Sequence, residues 1–182
     1  MQSPNRRSDG KSRGGTVGRT KFIATASMFV CLALIFSYVE ALIPFSVGIP
    51  GIKLGLANLV VIIALYEMNF RYAFAINAIR IVIAGLLFGG IFGMLYSAAG
   101  GLLNIVVMAL LKKTNLFSMI GVSMAGGLAH NLGQLLVAAF LVSNIKMFIY
   151  FPILMFSGIA SGIVIGIVSY IIDGKLPKYL FR

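Results

Sequence analysis

Residues 50–67 read PGIKLGLANLVVIIALYE. Pro50, Gly51 and Lys53 punctuate the chain, and from Leu54 to Leu65 the stretch is apolar on every side, with Asn58 its single polar side chain. It lacks the strict alternation of a membrane barrel strand and the polar face of a helix lying on a soluble core. The segment therefore reads as a helix with apolar surroundings on all sides.

Working outward, five more runs have the same character. The expected spans are 22–43, 54–67, 71–88, 92–111, 117–142 and 149–172. A hydrocarbon core of ~30 Å takes ~20 helical residues, so the short second and third runs imply tilt or local thinning of the bilayer. The 182-residue chain is 60% hydrophobic with a mean hydropathy of +1.03. A soluble domain of this size has too little interior to hide that surface. The expected fold is all-α, a polytopic bundle of six transmembrane helices over 22–175. A basic, disordered cytoplasmic tail is expected at 1–21 and a short basic cytoplasmic tail at 176–182. The 22–43 run is too long for the core of a signal peptide and lacks a small-residue cleavage site at its end, so it is expected to stay as the first span.

The net charge of +11 suggests nucleic acid at first sight, but its distribution points to membrane topology. Six of the 15 Lys and Arg residues fall in the first 21 positions. Arg71, Lys112, Lys113, Lys175, Lys178 and Arg182 share the same side, while the opposite connections hold Lys53 and Lys146. By the positive-inside rule both termini are cytoplasmic, with the chain in a cell membrane. A lone Cys31 offers no disulfide framework, and one histidine with one cysteine makes no ordinary Cys/His metal site.

With this topology, the polar side chains inside the spans gather in the outer half and at the midplane. The candidate substrate-binding residues are Glu40, Lys53, Asn58, Asn77, Arg80, Tyr96, Asn104, His130, Asn131 and Gln134. Charged groups in hydrocarbon cost ~2.5–3.5 kcal/mol on insertion scales, so Glu40 and Arg80 either pair with each other or contact a ligand. His130 and Gln134 share a helix face at i,i+4; the competing account is that amides and imidazole glue helices together. Lys53 either lines a pocket rim or anchors its helix at the headgroups. Gly158, Gly162 and Gly166 form a double GxxxG, read as a helix-packing face.

Several chemistries lack their residues. No phosphate-cradling GxxxxGK[ST] occurs. The acidic residues Asp9, Glu40, Glu67 and Asp173 are dispersed, whereas prenyl transfer needs clustered carboxylates to hold Mg²⁺ against diphosphate. The residues argue for a non-enzyme without cofactor or metal.

Four blocks, in order, carry a resemblance: PGIKLGLANLVVIIALY, RIVIAGLLFGG, LYSAAGGLLNIVVMALLKK and GGLAHNLGQLLVAAFL. Over roughly residues 22–175 the chain resembles the Gx transporter family, also labelled heptaprenyl diphosphate synthase component I. That family is similar to the S-components of energy-coupling factor transporters. The resemblance implies a six-helix membrane protein that binds a small solute from the extracytoplasmic side. Its implied partners are membrane lipid, the solute, and a membrane coupling subunit with two ATPase subunits. The alternative label implies a non-catalytic membrane subunit beside a soluble prenyl synthase subunit. S-components often carry small residues four apart on the first helix; here Ala24 is followed by Met28, and Ser27 with Cys31 gives the small pair.

Overall fold

A computed structural model describes residues 9–42 and 55–177; the junction with Pro50, Gly51 and Lys53 lies outside them. The described residues contain α1 (Asp9–Leu42), α2 (Leu56–Glu67), α3 (Phe70–Ala84), α4 (Gly90–Thr114), α5 (Met119–Val142) and α6 (Phe151–Lys175). No strand occurs among them. A π-helical turn, Gly85–Gly89, joins α3 to α4, and a 3-10 turn, Ile145–Tyr150, leads into α6. Residues 70–114 are thus one unbroken helical run. The helical stretches number five where six separate spans are expected. Four stretches are long and apolar enough to cross a membrane: Thr20–Leu42, Phe70–Thr114, Met119–Val142 and Ile145–Lys175. This is a helical membrane protein. Helix α1 begins at Asp9, inside the segment expected to be a tail.

The 45-residue run is not a straight rod. Gly90, with φ +64°, reverses the chain after the π turn. The Asn77 side chain in α3 then donates to the Gly101 carbonyl in α4 at 3.1 Å, so the two arms lie side by side. Elsewhere the ends follow local chemistry. Asn69 and Ser118 accept from Arg71 and Gly121 backbone N–H groups and so cap α3 and α5. Asn115 and Ser143 close α4 and α5 in the left-handed conformation. Pro152 occupies the first turn of α6, where a missing N–H costs nothing.

The short helix α2 occupies the centre. It packs against α1, α3 and α6, with a lesser contact to α4. Val60, Val61, Ile62 and Ala64 are completely buried. Phe29 and Ala33 of α1, Ile76 of α3, Met108 of α4 and Ile165 of α6 surround them. Both ends of α2 are tied by charged side chains from neighbours. Glu40 of α1 accepts from the Leu56 N–H at 2.9 Å. Lys112 of α4 donates to the Leu65 and Tyr66 carbonyls at 2.6 and 3.5 Å, with its ammonium 4.8 Å from the centre of the Tyr66 ring. An anion at the N-terminus and a cation at the C-terminus are the signs the helix dipole favours.

At 12 residues, α2 is about 18 Å long, well short of a ~30 Å hydrocarbon core. Lys112 ties its C-terminus to the edge where α4 ends. Among the described residues, no central helix continues on the opposite side, beyond Leu56.

Helices α5 and α6 meet through glycines. A Cβ on Gly127 would strike the Gly158 carbonyl oxygen, one on Gly162 would lie 2.7 Å from the Met124 Cα, and one on Gly166 would lie 2.8 Å from the Ile120 Cα. All three glycines of the expected packing face thus lie against α5. The same logic joins α4 to α5, where a Cβ on Gly133 would come within 2.7 Å of the Ala99 carbonyl.

These contacts predict a sharp contrast between two glycines. Gly127→Ala forces the α5 and α6 backbones apart and should destabilise the protein by about 1–3 kcal/mol. Gly174→Ala, with nothing within 4 Å of the added Cβ, should be neutral or stabilise by up to about 1 kcal/mol. Thermal melting of both variants in detergent, followed by circular dichroism, measures the difference.

Candidate functional site

Beyond the N-terminus of α2 lies a cavity of about 220 Å³. Every helix contributes to its wall. Ser37 and Glu40 come from the last turns of α1, Gly55 and Asn58 from the start of α2, and Arg80 from α3. The π turn adds Gly85, Phe88 and Gly89, α4 adds Ser97, α5 adds His130 and Asn131, and α6 adds Ser161. Gly55 sits at φ +76°, a left-handed conformation suited to glycine, and turns the chain into α2 beneath the cavity. A π turn widens a helix locally and is common at functional sites; here it forms one wall.

Arg80 is the dominant charge. It is 8% exposed. Its guanidinium donates to Asn77 Oδ1 at 2.7 Å and to Ser37 Oγ at 3.4 Å. Asn77 is itself fixed by donating to the Gly101 carbonyl. A relay therefore runs from α4 through Asn77 to Arg80 and on to α1, and it sets the direction of the guanidinium. Among the described residues Arg80 Nε has no hydrogen-bond partner, and neither has Asn58 Oδ1. An unmade hydrogen bond on a buried polar atom costs about 1–3 kcal/mol, so these two atoms are costly to the protein by itself.

Glu40 and Arg80 line the same cavity and are close enough to interact electrostatically. Each makes its hydrogen bonds elsewhere, Glu40 to the α2 terminus and Arg80 to Asn77 and Ser37. The two alternatives open at the sequence level, a staple between helices 1 and 3 or a ligand contact, thus acquire a third member: Glu40 caps the central helix.

Of the ten expected site residues, Glu40, Asn58, Arg80, His130 and Asn131 line this cavity. Asn131 also donates to the Leu154 carbonyl at 2.7 Å, tying α5 to α6. Asn104 lines a crevice of about 10 Å³ with Asn58, Ser123 and Ser161. Asn77 acts on Arg80 from behind. Gln134 is buried against α4, where a Cβ on Gly100 would lie 3.0 Å from its Cγ. Tyr96 is not among the lining residues, and its neighbour Ser97 is. Lys53 lies outside the described residues. Sequence reasoning passed over Ser37 and Ser161, because serine within a membrane helix readily bonds its own backbone, as Ser161 does to Gly158. The available signal for Ser37 is its place on the Thr25, Phe29, Ala33 stripe at intervals of four, all buried.

Residues 29–172 match the family model described as heptaprenyl diphosphate synthase component I, and the chain belongs to that family. No curated protein and no solved structure matches it.

The relay predicts a recoverable defect. Asn77→Leu removes the acceptor from a buried charged donor and should destabilise the protein by about 1.5–3 kcal/mol. Adding Arg80→Met, which removes the stranded charge, should restore most of that loss. Denaturation of the single and double variants in detergent measures the coupling.

Proposed function

We propose that this member of the heptaprenyl diphosphate synthase component I family is an integral membrane solute-binding protein. It serves as the substrate-binding component of an energy-coupling-factor-like transporter, takes its solute from the extracytoplasmic side, and catalyses no reaction alone. The observation that carries this reading is a cavity of about 220 Å³ lined by the buried charge Arg80 together with Glu40, Asn58 and His130, where Arg80 Nε and Asn58 Oδ1, just behind the wall, have no partner among the described residues. Buried polar atoms are almost always paired. A solute that pairs both offsets their cost, and that gain becomes binding energy. The volume lies below the ~300–1,000 Å³ of sites for drug-sized ligands, which favours a compact solute.

Orientation supports the same reading. Arg71, Lys112, Lys113 and Lys175 lie at the edge where α2 ends, and the cavity lies toward the edge that carries Lys146. With the basic edge cytoplasmic, the cavity faces the outer half of the membrane. Coupling to ATPase subunits requires an intramembrane docking face. Ser27 and Cys31 lie on the exposed side of α1 and fit that role.

The family description favours a second reading, a non-catalytic membrane subunit that assembles with a soluble prenyl synthase. In that case the occupant of the membrane domain is a polyprenyl lipid. The dispersed carboxylates of this chain leave the Mg²⁺ and diphosphate chemistry to the partner.

Native mass spectrometry of gently purified protein separates the two readings. A compact bound solute, lost in Arg80→Met and bound about 1–3 kcal/mol more weakly in Asn58→Leu, is the expected result; a polyprenyl lipid indifferent to both substitutions supports the second reading.

Orientation has its own test in a Cys31→Ala background. A cysteine placed at Ser143 should react with an impermeant thiol reagent in intact cells, and one placed at Thr114 should not. The reverse pattern places the cavity in the cytoplasmic half.

A further inference from the structure

The cavity wall has two electrical poles, and this narrows the class of solute. The inference rests on the solute-binding reading above. At one pole is Arg80. A guanidinium has five N–H donors. Asn77 and Ser37 each take one, while Nε–H has no partner among the described residues. This pole requires an acceptor, and it favours an anionic one with two oxygens, since a guanidinium presents parallel N–H groups to a carboxylate.

At the other pole stand the Glu40 carboxylate and Asn58, whose amide carries a donor as well as the acceptor Oδ1. Glu40 uses Oε1 to cap α2 and has a second carboxylate oxygen. Asn58 Oδ1, at the start of that same helix, has no partner among the described residues. These oxygens require a donor, and Glu40 favours a cationic one. A simple anion would gain from Arg80 and be repelled by Glu40. A simple amine would gain from Glu40 and be repelled by Arg80. In a site walled by membrane helices both repulsions are weakly screened. The charges of Glu40 and Arg80 sum to zero, which matches a solute that is neutral overall and dipolar.

The geometry points to a small zwitterion: an amino acid-type molecule whose carboxylate meets Arg80 and whose ammonium meets Glu40 and Asn58. His130 and Asn131 also line the cavity and carry further hydrogen-bonding groups.

Matched sets of probes test this on the full-length protein in detergent. Each set contains an amino acid (glycine, β-alanine, γ-aminobutyrate or leucine), its deaminated acid and its decarboxylated amine. Affinity is measured by calorimetry and by the shift in melting temperature. At least one amino acid should bind, with its acid and its amine each weaker by about tenfold or more. Glu40→Gln keeps an oxygen for the Leu56 N–H and so preserves the cap, which its unliganded melting temperature checks. In this variant the preference for the amino acid over its deaminated acid should collapse. The inference is overturned if a deaminated acid binds as tightly as its amino acid, or if Glu40→Gln leaves their ratio unchanged. Absence of binding by every probe also overturns it. A solute that still co-purifies in that case leaves the solute-binding reading standing, and absence of both removes the two together.

Discussion

The structure depends on a 12-residue helix held at both ends by charges from its neighbours. Glu40 accepts the first N–H of α2, and Lys112 donates to its last carbonyls. A helix this short, buried in apolar surroundings, leaves terminal N–H and C=O groups that bulk water does not satisfy, and in hydrocarbon each such group costs several kcal/mol. Supplying the partners from α1 and α4 removes that cost. It also fixes α2 in depth, because neither charge can move along the bundle without abandoning the hydrogen bond it makes.

Fixing α2 in depth is what creates the cavity. The other helical stretches are long enough to cross the membrane, and the central one stops after about 18 Å. The space beyond Leu56 is bounded by α1, α3, α4, α5 and α6, which contribute serines, glycines and charged groups to it. In the wall of that space, glycine contacts bring α5 against both α4 and α6. Tight packing there and open space beyond α2 are complementary: the glycines allow three long helices to form a compact wall, and the short helix leaves room in front of it.

Within that room the protein holds a buried cation in a directed posture. Asn77 is anchored on α4 and presents its oxygen to Arg80, while Ser37 takes a second donor. Removing a charge from water is costly unless it is paired and hydrogen-bonded. The relay satisfies part of the guanidinium and leaves Nε unpaired. Arg80 Nε and Asn58 Oδ1, unpaired among the described residues, are buried polar atoms held at a cost in stability.

The several apolar runs of about 20 residues determined that this chain is a helical membrane protein; the run of residues 54–65, too short to span, became the buried centre of the bundle. Except for the start of α1, which lies at Asp9 and not at residue 22, the positions of Pro, Gly and charged residues also placed the ends of the helices α1 to α6 to within about four residues, because capping and backbone chemistry are local. Arg80, Asn58, Glu40 and His130 were legible as site candidates, since polar groups in hydrocarbon are expensive wherever they stand. The partners of those groups were not legible. Glu40 caps a helix 16 residues away, Lys112 reaches back 47 residues, and Asn77 reaches 24 residues forward to Gly101. The helix count differed too, because a π turn keeps α3 and α4 helical through their reversal. A one-dimensional pattern records which side chains need partners. Only the packing of the other four helical stretches around the short α2, including the doubled-back arms of residues 70–114, decides which groups meet, because hydrogen bonds and charges act across distances of a few ångströms in space and not along the chain.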